Sequence, residues 1–156
     1  MMALSTMSVS AFAQTQKAAI RTPEMKVVTI KNEKTVIAPS ENFTGSVRVT
    51  MVAKGEDPSS LGCGYVEFQA GARSNWHTHP KGQLLIVTLG EGRVQEWGKP
   101  VQTIKPGDIV WTPAGVKHWH GASPKTAMTH AAVTESAEGK TVSWMELVTD
   151  AQYNAN

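Results

Sequence analysis

The chain has 156 residues, 40% hydrophobic and 18% charged, enough for one hydrophobic core and too few for two comfortable ones. Its 15 basic and 13 acidic residues leave a formal charge of +2 with no basic block, which excludes the electrostatic footprint of a nucleic-acid binder. The lone Cys63 has no internal partner and no Cys-x-x-Cys neighbour, so a buried apolar thiol is expected there.

Residues 1–13 are small and apolar and end in Ala11-Phe12-Ala13 before Gln14, the small-x-small pattern of a secretory signal. They carry no Lys or Arg, so the expectation is a truncated signal peptide or a disordered leader. Export to the periplasm is expected if it is a signal, and a cytoplasmic location otherwise. No stretch approaches the ~20 apolar residues that cross a bilayer, so no membrane partner is expected.

Residues 14–41 read as an extended N-terminal segment with strands, "VVTI" (27–30) and "TVIA" (35–38). A barrel domain is expected over 42–153, with β-type runs at 46–53, 64–70, 84–89, 92–97, 108–112, 116–121, 128–134 and 141–148. They are short, rich in Val, Ile, Thr and Trp, and separated by turns such as "LGEG", "KPGD" and "TPAG". Strands at this spacing, without helical periodicity, predict an all-β antiparallel sandwich or small barrel. A short C-terminal helix is expected at "TDAQY" (149–153), with Thr149 or Asp150 as N-cap. The five tryptophans are expected in the core or at an interface.

Side chains alternate along a strand, so His77 and His79 share one face, as do His118 and His120. Two such pairs near Gly and Pro turns suit a strand-borne metal site. Pro80-Lys81-Gly82 can turn the chain so that Gln83 returns to the same interior, and His130 begins another candidate inward strand.

Two segments carry a resemblance. "GARSNWHTHPKGQLLIVTLG" (71–90) has Gly, five residues, His-x-His, three residues, an amide where Glu is usual, six residues and Gly. "GDIVWTPAGVKHWHGA" (107–122) has Gly, five residues, Pro-x-Gly, two residues and His, then Ala122 where Asn is frequent. In both, the chain resembles the cupin family, which implies a single-domain cupin β-barrel, a jelly-roll-like antiparallel sandwich. "HTHPKGQLLIVT", "HWHGASPKTAMTHAAV" and "VSWMELVTDAQY" look like the small bacterial manganese-dependent cupin hydroxynitrile lyases. That resemblance implies the metal ligands His77, His79, Gln83 and His118, with His120 and His130 as catalytic or supporting histidines. It also implies a homo-oligomer, dimer or tetramer, and reversible cleavage of a cyanohydrin to aldehyde and HCN.

Three imidazoles and an amide oxygen make a sensible set for a divalent ion, Mn²⁺ above all, with Fe, Ni or Zn as alternatives. All four donors are neutral, leaving the centre at about +2 where a carboxylate would bring it to about +1. The amide therefore favours Lewis-acid chemistry over oxygen activation. Cyanohydrin cleavage also needs a base and an acid, for which histidine is suited. His130, on a different strand from the ligands, is the expected base, and His120 the acid or a substrate hydrogen-bond donor. The alternatives are a cupin dioxygenase, isomerase or decarboxylase acting on a small metabolite, or a non-catalytic cupin that binds a metal or small molecule.

Overall fold

The structure, a computed structural model, describes residues 24–155, so the leader expected at 1–13 lies outside the described residues. The strands in chain order are β1 (Thr35–Ile37), β2 (Phe43–Thr44), β3 (Val47–Lys54), β4 (Leu61–Phe68), β5 (Arg73–Ser74), β6 (His77–Thr78) and β7 (Gln83–Gly90). They continue as β8 (Gly92–Glu96), β9 (Gln102–Ile104), β10 (Ile109–Thr112), β11 (His118–Ala122), β12 (Met128–Glu135) and β13 (Ser143–Trp144), followed by helix α1 (Asp150–Tyr153). "VVTI" does not form its expected strand: its last residue opens a 3₁₀ turn, Ile30–Asn32, and Val27 stays exposed. High β-propensity without a pairing partner does not make a strand. The expected run at 141–148 contracts to β13, with Met145 and Glu146 still exchanging backbone hydrogen bonds with Trp76.

All pairings are antiparallel. One sheet runs β1-β3-β4-β12-β7-β10. In the other, β11 pairs with β8 on one side and with the interrupted β5 and β6 on the other, and β2 and β13 extend it. The all-β antiparallel barrel read from the sequence is therefore what the chain forms. Among the described residues, no helix is long and apolar enough to cross a membrane.

Alternation sets what faces the barrel interior. On β4 the inward row is Gly62, Gly64, Val66 and Phe68; on β7 it is Gln83, Leu85 and Val87; on β12 it is His130, Ala132 and Thr134. Val47, Val66, Phe68, Val87, Val94 and Met128 belong to one packed cluster that fills part of the interior. Each such side chain taken from water stabilises the fold by about 1.5–3 kcal/mol. The remaining interior is the cavity described below.

A second cluster forms on the other face of β11, where Trp119 packs with Trp76, Val148 and Tyr153. Trp76 and Trp119 are core residues as expected, while Trp97 and Trp111 are exposed. Cys63 is half-buried, its thiol pushed up in pKa by burial. The C-terminus is pinned here. Thr149 and Gln152 form a reciprocal capping box on α1, and the Tyr153 hydroxyl donates to the Ala122 carbonyl at 2.7 Å. Buried Arg73 donates through Nε and Nη2 to the Val148 carbonyl at 3.1 and 3.0 Å, reaches Asp150 at 2.6 Å and lies over the Tyr153 ring.

Most of Arg73's contribution comes from the carbonyl and ring contacts, because Asp150 is largely exposed and its ion pair is screened by water. Arg73→Ala is therefore expected to cost about 2–4 kcal/mol in urea unfolding, and Asp150→Asn less than about 1 kcal/mol. Equal losses for the two variants would refute this division.

Candidate metal centre

The Pro80-Lys81-Gly82 turn brings the chain back so that Gln83 opens the inward row of β7. Gly82 has φ +85°, and a Cβ there would lie 2.7 Å from the Thr112 carbonyl oxygen, so glycine is required. His77 and His118 are cross-strand partners on β6 and β11, with ring centroids 4.2 Å apart. His79 lies just past β6, and its carbonyl accepts the Gly115 N–H at 2.9 Å, tying the two motif segments together.

Each of the three rings is oriented by its Nδ1. His77 Nδ1–H donates to the Asn75 carbonyl at 2.9 Å, His79 to Thr141 at 2.6 Å and His118 to Val116 at 3.0 Å. That leaves each Nε2 with a bare lone pair. One ligand nitrogen from each ring falls within 4.8 Å of the others, and all three residues are buried.

Two observations show that these residues fit a cation. His79 Nε2 is buried with no hydrogen-bond partner. His118 Nε2 lies 3.0 Å from Gln83 Oε1, although its own proton is already committed at Nδ1, so two acceptors face each other. A neutral imidazole cannot donate from both nitrogens, and burial holds His118 down at about 4, which keeps it neutral. Facing lone pairs repel, and a positive ion between them turns that repulsion into coordination. Of the sequence-predicted ligands, the structure thus brings together His77, His79, His118 and Gln83.

His120 is next to this group. On β11 it shares the inward face with His118, and its backbone N–H donates to Ser74 Oγ at 3.2 Å. Its Nε2 is buried without a partner and its ring lines the cavity. His130 sits behind it: His130 Nε2 is 3.1 Å from His120 Nδ1, and the Phe68 ring packs against both imidazoles. His130, the expected base, is fully buried and does not line the cavity, so it does not stand at the open end of the site. On β12 it is Ala132 and Thr134 that line the cavity, and His130 lies farther along the strand toward Met128 and the packed cluster.

All five histidines are shifted toward the neutral form, chiefly by burial. His77 and His120 are held well below the ordinary 6.5, with neighbouring histidines adding to the effect. His79 is lowered more modestly, against the pull of its Thr141 hydrogen bond, and His130 comes down to about 4. The cavity that His77, His79, Gln83 and His120 line has a volume of about 920 Å³. Its walls are mostly apolar, including Val36, Phe43, Val49, Val66 and Trp144, and Lys54 and Asp57 lie farther out. Trp144, one of the five tryptophans, lines the cavity across β6 from His77 with ring centroids 4.9 Å apart, while sequence reasoning missed the carbonyl of Thr141.

A small antiparallel barrel with a histidine cluster opening onto an interior cavity is the class of protein that this fold and site define. Residues 64–133 match the family model of the cupin domain. Over 129 residues, 83% of this chain and 98% of the relative, the sequence is 48% identical to an (R)-mandelonitrile lyase of Granulicella tundricola. A solved cupin-like protein from Thermotoga maritima is 40% identical and superposes with a TM-score of 0.72, covering 75% of this chain and 89% of that one. The polyketide cyclase RemF from Streptomyces resistomycificus, at 15% identity and TM-score 0.68 over 83% of this chain and 91% of its own, shares the fold. The chain belongs to the cupin family.

The depressed histidines make the metal-free protein sensitive to acid. The unfolded chain protonates these rings near 6.5, whereas His118 and His130 in the fold resist until about 4. Between those values the unfolded state binds more protons, so their contribution to stability is complete above about 6.5 and is lost as pH falls toward 4. Chelator-treated protein should therefore melt at progressively lower temperature through this window. A melting temperature unchanged from pH 7 to 4.5 would contradict the assignment.

Proposed function

We propose that this protein is a metal-dependent hydroxynitrile lyase that reversibly cleaves an aromatic cyanohydrin to an aldehyde and HCN. The observation that carries the reading is His120: a buried Nε2 without a partner, on a residue that lines an apolar cavity beside a wholly neutral donor set. The 48% identity to an (R)-mandelonitrile lyase over nearly all of that relative supports the same chemistry.

His77, His79, Gln83 and His118 hold the divalent ion in this reading, Mn²⁺ as the first expectation and Fe, Ni or Zn as alternatives. When bound, the ion supplies a Lewis acid that acidifies the substrate hydroxyl and steadies developing negative charge, with no carboxylate to diminish its charge.

The chain's own residues do the rest. His120 Nε2 takes the hydroxyl proton. The C–O bond becomes a carbonyl, the C–C bond breaks, and its electron pair leaves on cyanide. The proton on His120 then passes to cyanide, so aldehyde and HCN depart and the enzyme is unchanged. His130 sets the state of that base: when its Nε2 accepts the His120 Nδ1–H across 3.1 Å, His120 presents a bare lone pair to the cavity. Burial keeps His120 neutral far into the acid range, which is the form a base requires. Val49, Val66 and Trp144 exclude water and receive the aromatic arm.

The test is aldehyde release from racemic mandelonitrile by manganese-loaded protein, with and without chelator. A metal-dependent excess over buffer is expected, and its absence sinks the reading. His120→Ala should lower kcat by about 10²–10⁴ with metal content unchanged, the usual worth of a positioned base. His130→Ala should cost less, because it removes only the group that sets the His120 tautomer. Gln83→Glu should retain the metal and lose about tenfold or more in kcat, since it reduces the charge that polarises substrate. A fully active Gln83→Glu enzyme would remove the electrostatic argument.

A further inference from the structure

The least explained feature of the cavity is the wall that β4 contributes. Two of its inward positions, Gly62 and Gly64, have no side chain, and both line the cavity. A glycine inside a strand weakens it by roughly 0.5–1 kcal/mol relative to alanine, so it needs a reason. β3 bulges between Met51 and Ala53, opposite Gly64 and Cys63, but the extra residue sits on β3 and leaves β4 regular. Neither residue has positive φ. A Cβ on Gly64 would meet Met51 Sδ at 3.5 Å, Val49 at 3.8 Å and Val66 at 3.9 Å. One on Gly62 would meet nothing closer than 3.8 Å. These are ordinary van der Waals contacts, so neither the backbone nor the packing demands glycine at either position.

What the glycines provide is space, and the neighbouring strands preserve it. Across β4 and β12, Gly64 is paired with Ala132, and Gly62 with Thr134, which in turn pairs with Gln83 on β7. The hollow therefore extends along the sheet toward a predicted ligand, and the unpaired Nε2 atoms of His79 and His120 belong to residues lining the same cavity. On the far side of Gly64 its β3 partner is Met51, a half-exposed, flexible side chain that can swing over an occupant and contact an aromatic ring. The cavity's 920 Å³ lies at the upper end of the roughly 300–1,000 Å³ of pockets for drug-sized ligands. A single benzene ring leaves much of it empty.

We propose that Gly62 and Gly64 are specificity-determining positions that hollow this wall to accept an apolar arm larger than one benzene ring, a fused bicyclic aryl group of the naphthyl class. The inference rests on the lyase reading for its chemistry, but the shape of the wall can be tested without turnover. Met51 closes over the outer ring, and the oxygen-bearing end of the substrate lies toward His120.

The experiment compares the metal-loaded full chain with Gly64→Val, Gly62→Val and the gentler Gly64→Ala, each checked by thermal melting. Activity is measured on the cyanohydrins of 2-naphthaldehyde, benzaldehyde and propanal. Binding is measured separately with two unreactive probes, 2-naphthylmethanol, by its own fluorescence, and benzyl alcohol. The parent should turn over the naphthyl cyanohydrin with a kcat/KM at least equal to that for mandelonitrile, and bind the naphthyl probe more tightly than benzyl alcohol. Each valine variant should lose tenfold or more on the naphthyl substrate and probe while staying within threefold on propanal cyanohydrin. Gly64→Ala should lose about threefold and decides the matter if a valine variant fails to fold. Probe selectivity that disappears in the variants, in a protein inactive on all three cyanohydrins, would sink the lyase reading and uphold the glycine assignment. An active enzyme whose naphthyl-to-propanal ratio and probe affinities are unchanged by the substitutions would overturn the glycine assignment alone.

Discussion

Three hydrogen bonds from imidazole to backbone carbonyl organise this molecule. Once His77, His79 and His118 give their Nδ1 protons to Asn75, Thr141 and Val116, their Nε2 lone pairs are left uncommitted within 4.8 Å of one another. A buried acceptor without a donor, as at His79, costs about 1–3 kcal/mol, so the barrel holds these rings together against that cost. The same bonds fix ring orientation and tautomer before any ion arrives, which makes the centre preorganised.

That preorganisation depends on two different reaches of the chain. The Asn75 and Val116 carbonyls lie two residues before the histidines they orient, so each motif carries its own support. The Thr141 carbonyl comes from the segment between β12 and β13, 62 residues away, and that segment also lines the cavity. His79 thus joins the metal centre to the wall of the cavity. The pair formed by His120 and His130 adds a second, separate polar unit, packed against Phe68 where the apolar cluster begins.

Much of this was legible in the sequence because it is local. His77 with His79, the tight turn at Gly82, and Gln83 two residues before Leu85 all follow from alternation and turn chemistry over a few positions. The capping box on α1 is equally local, and Thr149 caps the helix as read from "TDAQY". What propensity could not supply is partnership. Val27 and Val28 have strong β preference but no strand to pair with, whereas the stretch at His77 was read as strand-borne and β5 was missed, because a break at Asn75 and Trp76 separates two short pieces that both pair with β11. The relation of His130 to His120 depends on how far two strands in different sheets stand from the cavity, and sequence periodicity carries no such depth. In the sequence Gly64 only opened a β-type run and Gly62 lay outside it, and the fold alone shows that both line the cavity.

The distance between the ligands along the chain also governs how the centre is filled. His77, His79 and Gln83 lie within seven residues of chain, but His118 comes from β11, 35 residues beyond Gln83; it joins His77 by pairing of β11 with β6, and Gln83 reaches them only when the sheet of β7 closes on theirs. Before closure the nascent chain can offer an ion little more than a mobile His-x-His pair. The complete set of donors therefore exists only in the folded barrel, so an ion held there would bind the native chain far more tightly than the unfolded one, and occupancy would raise the melting temperature.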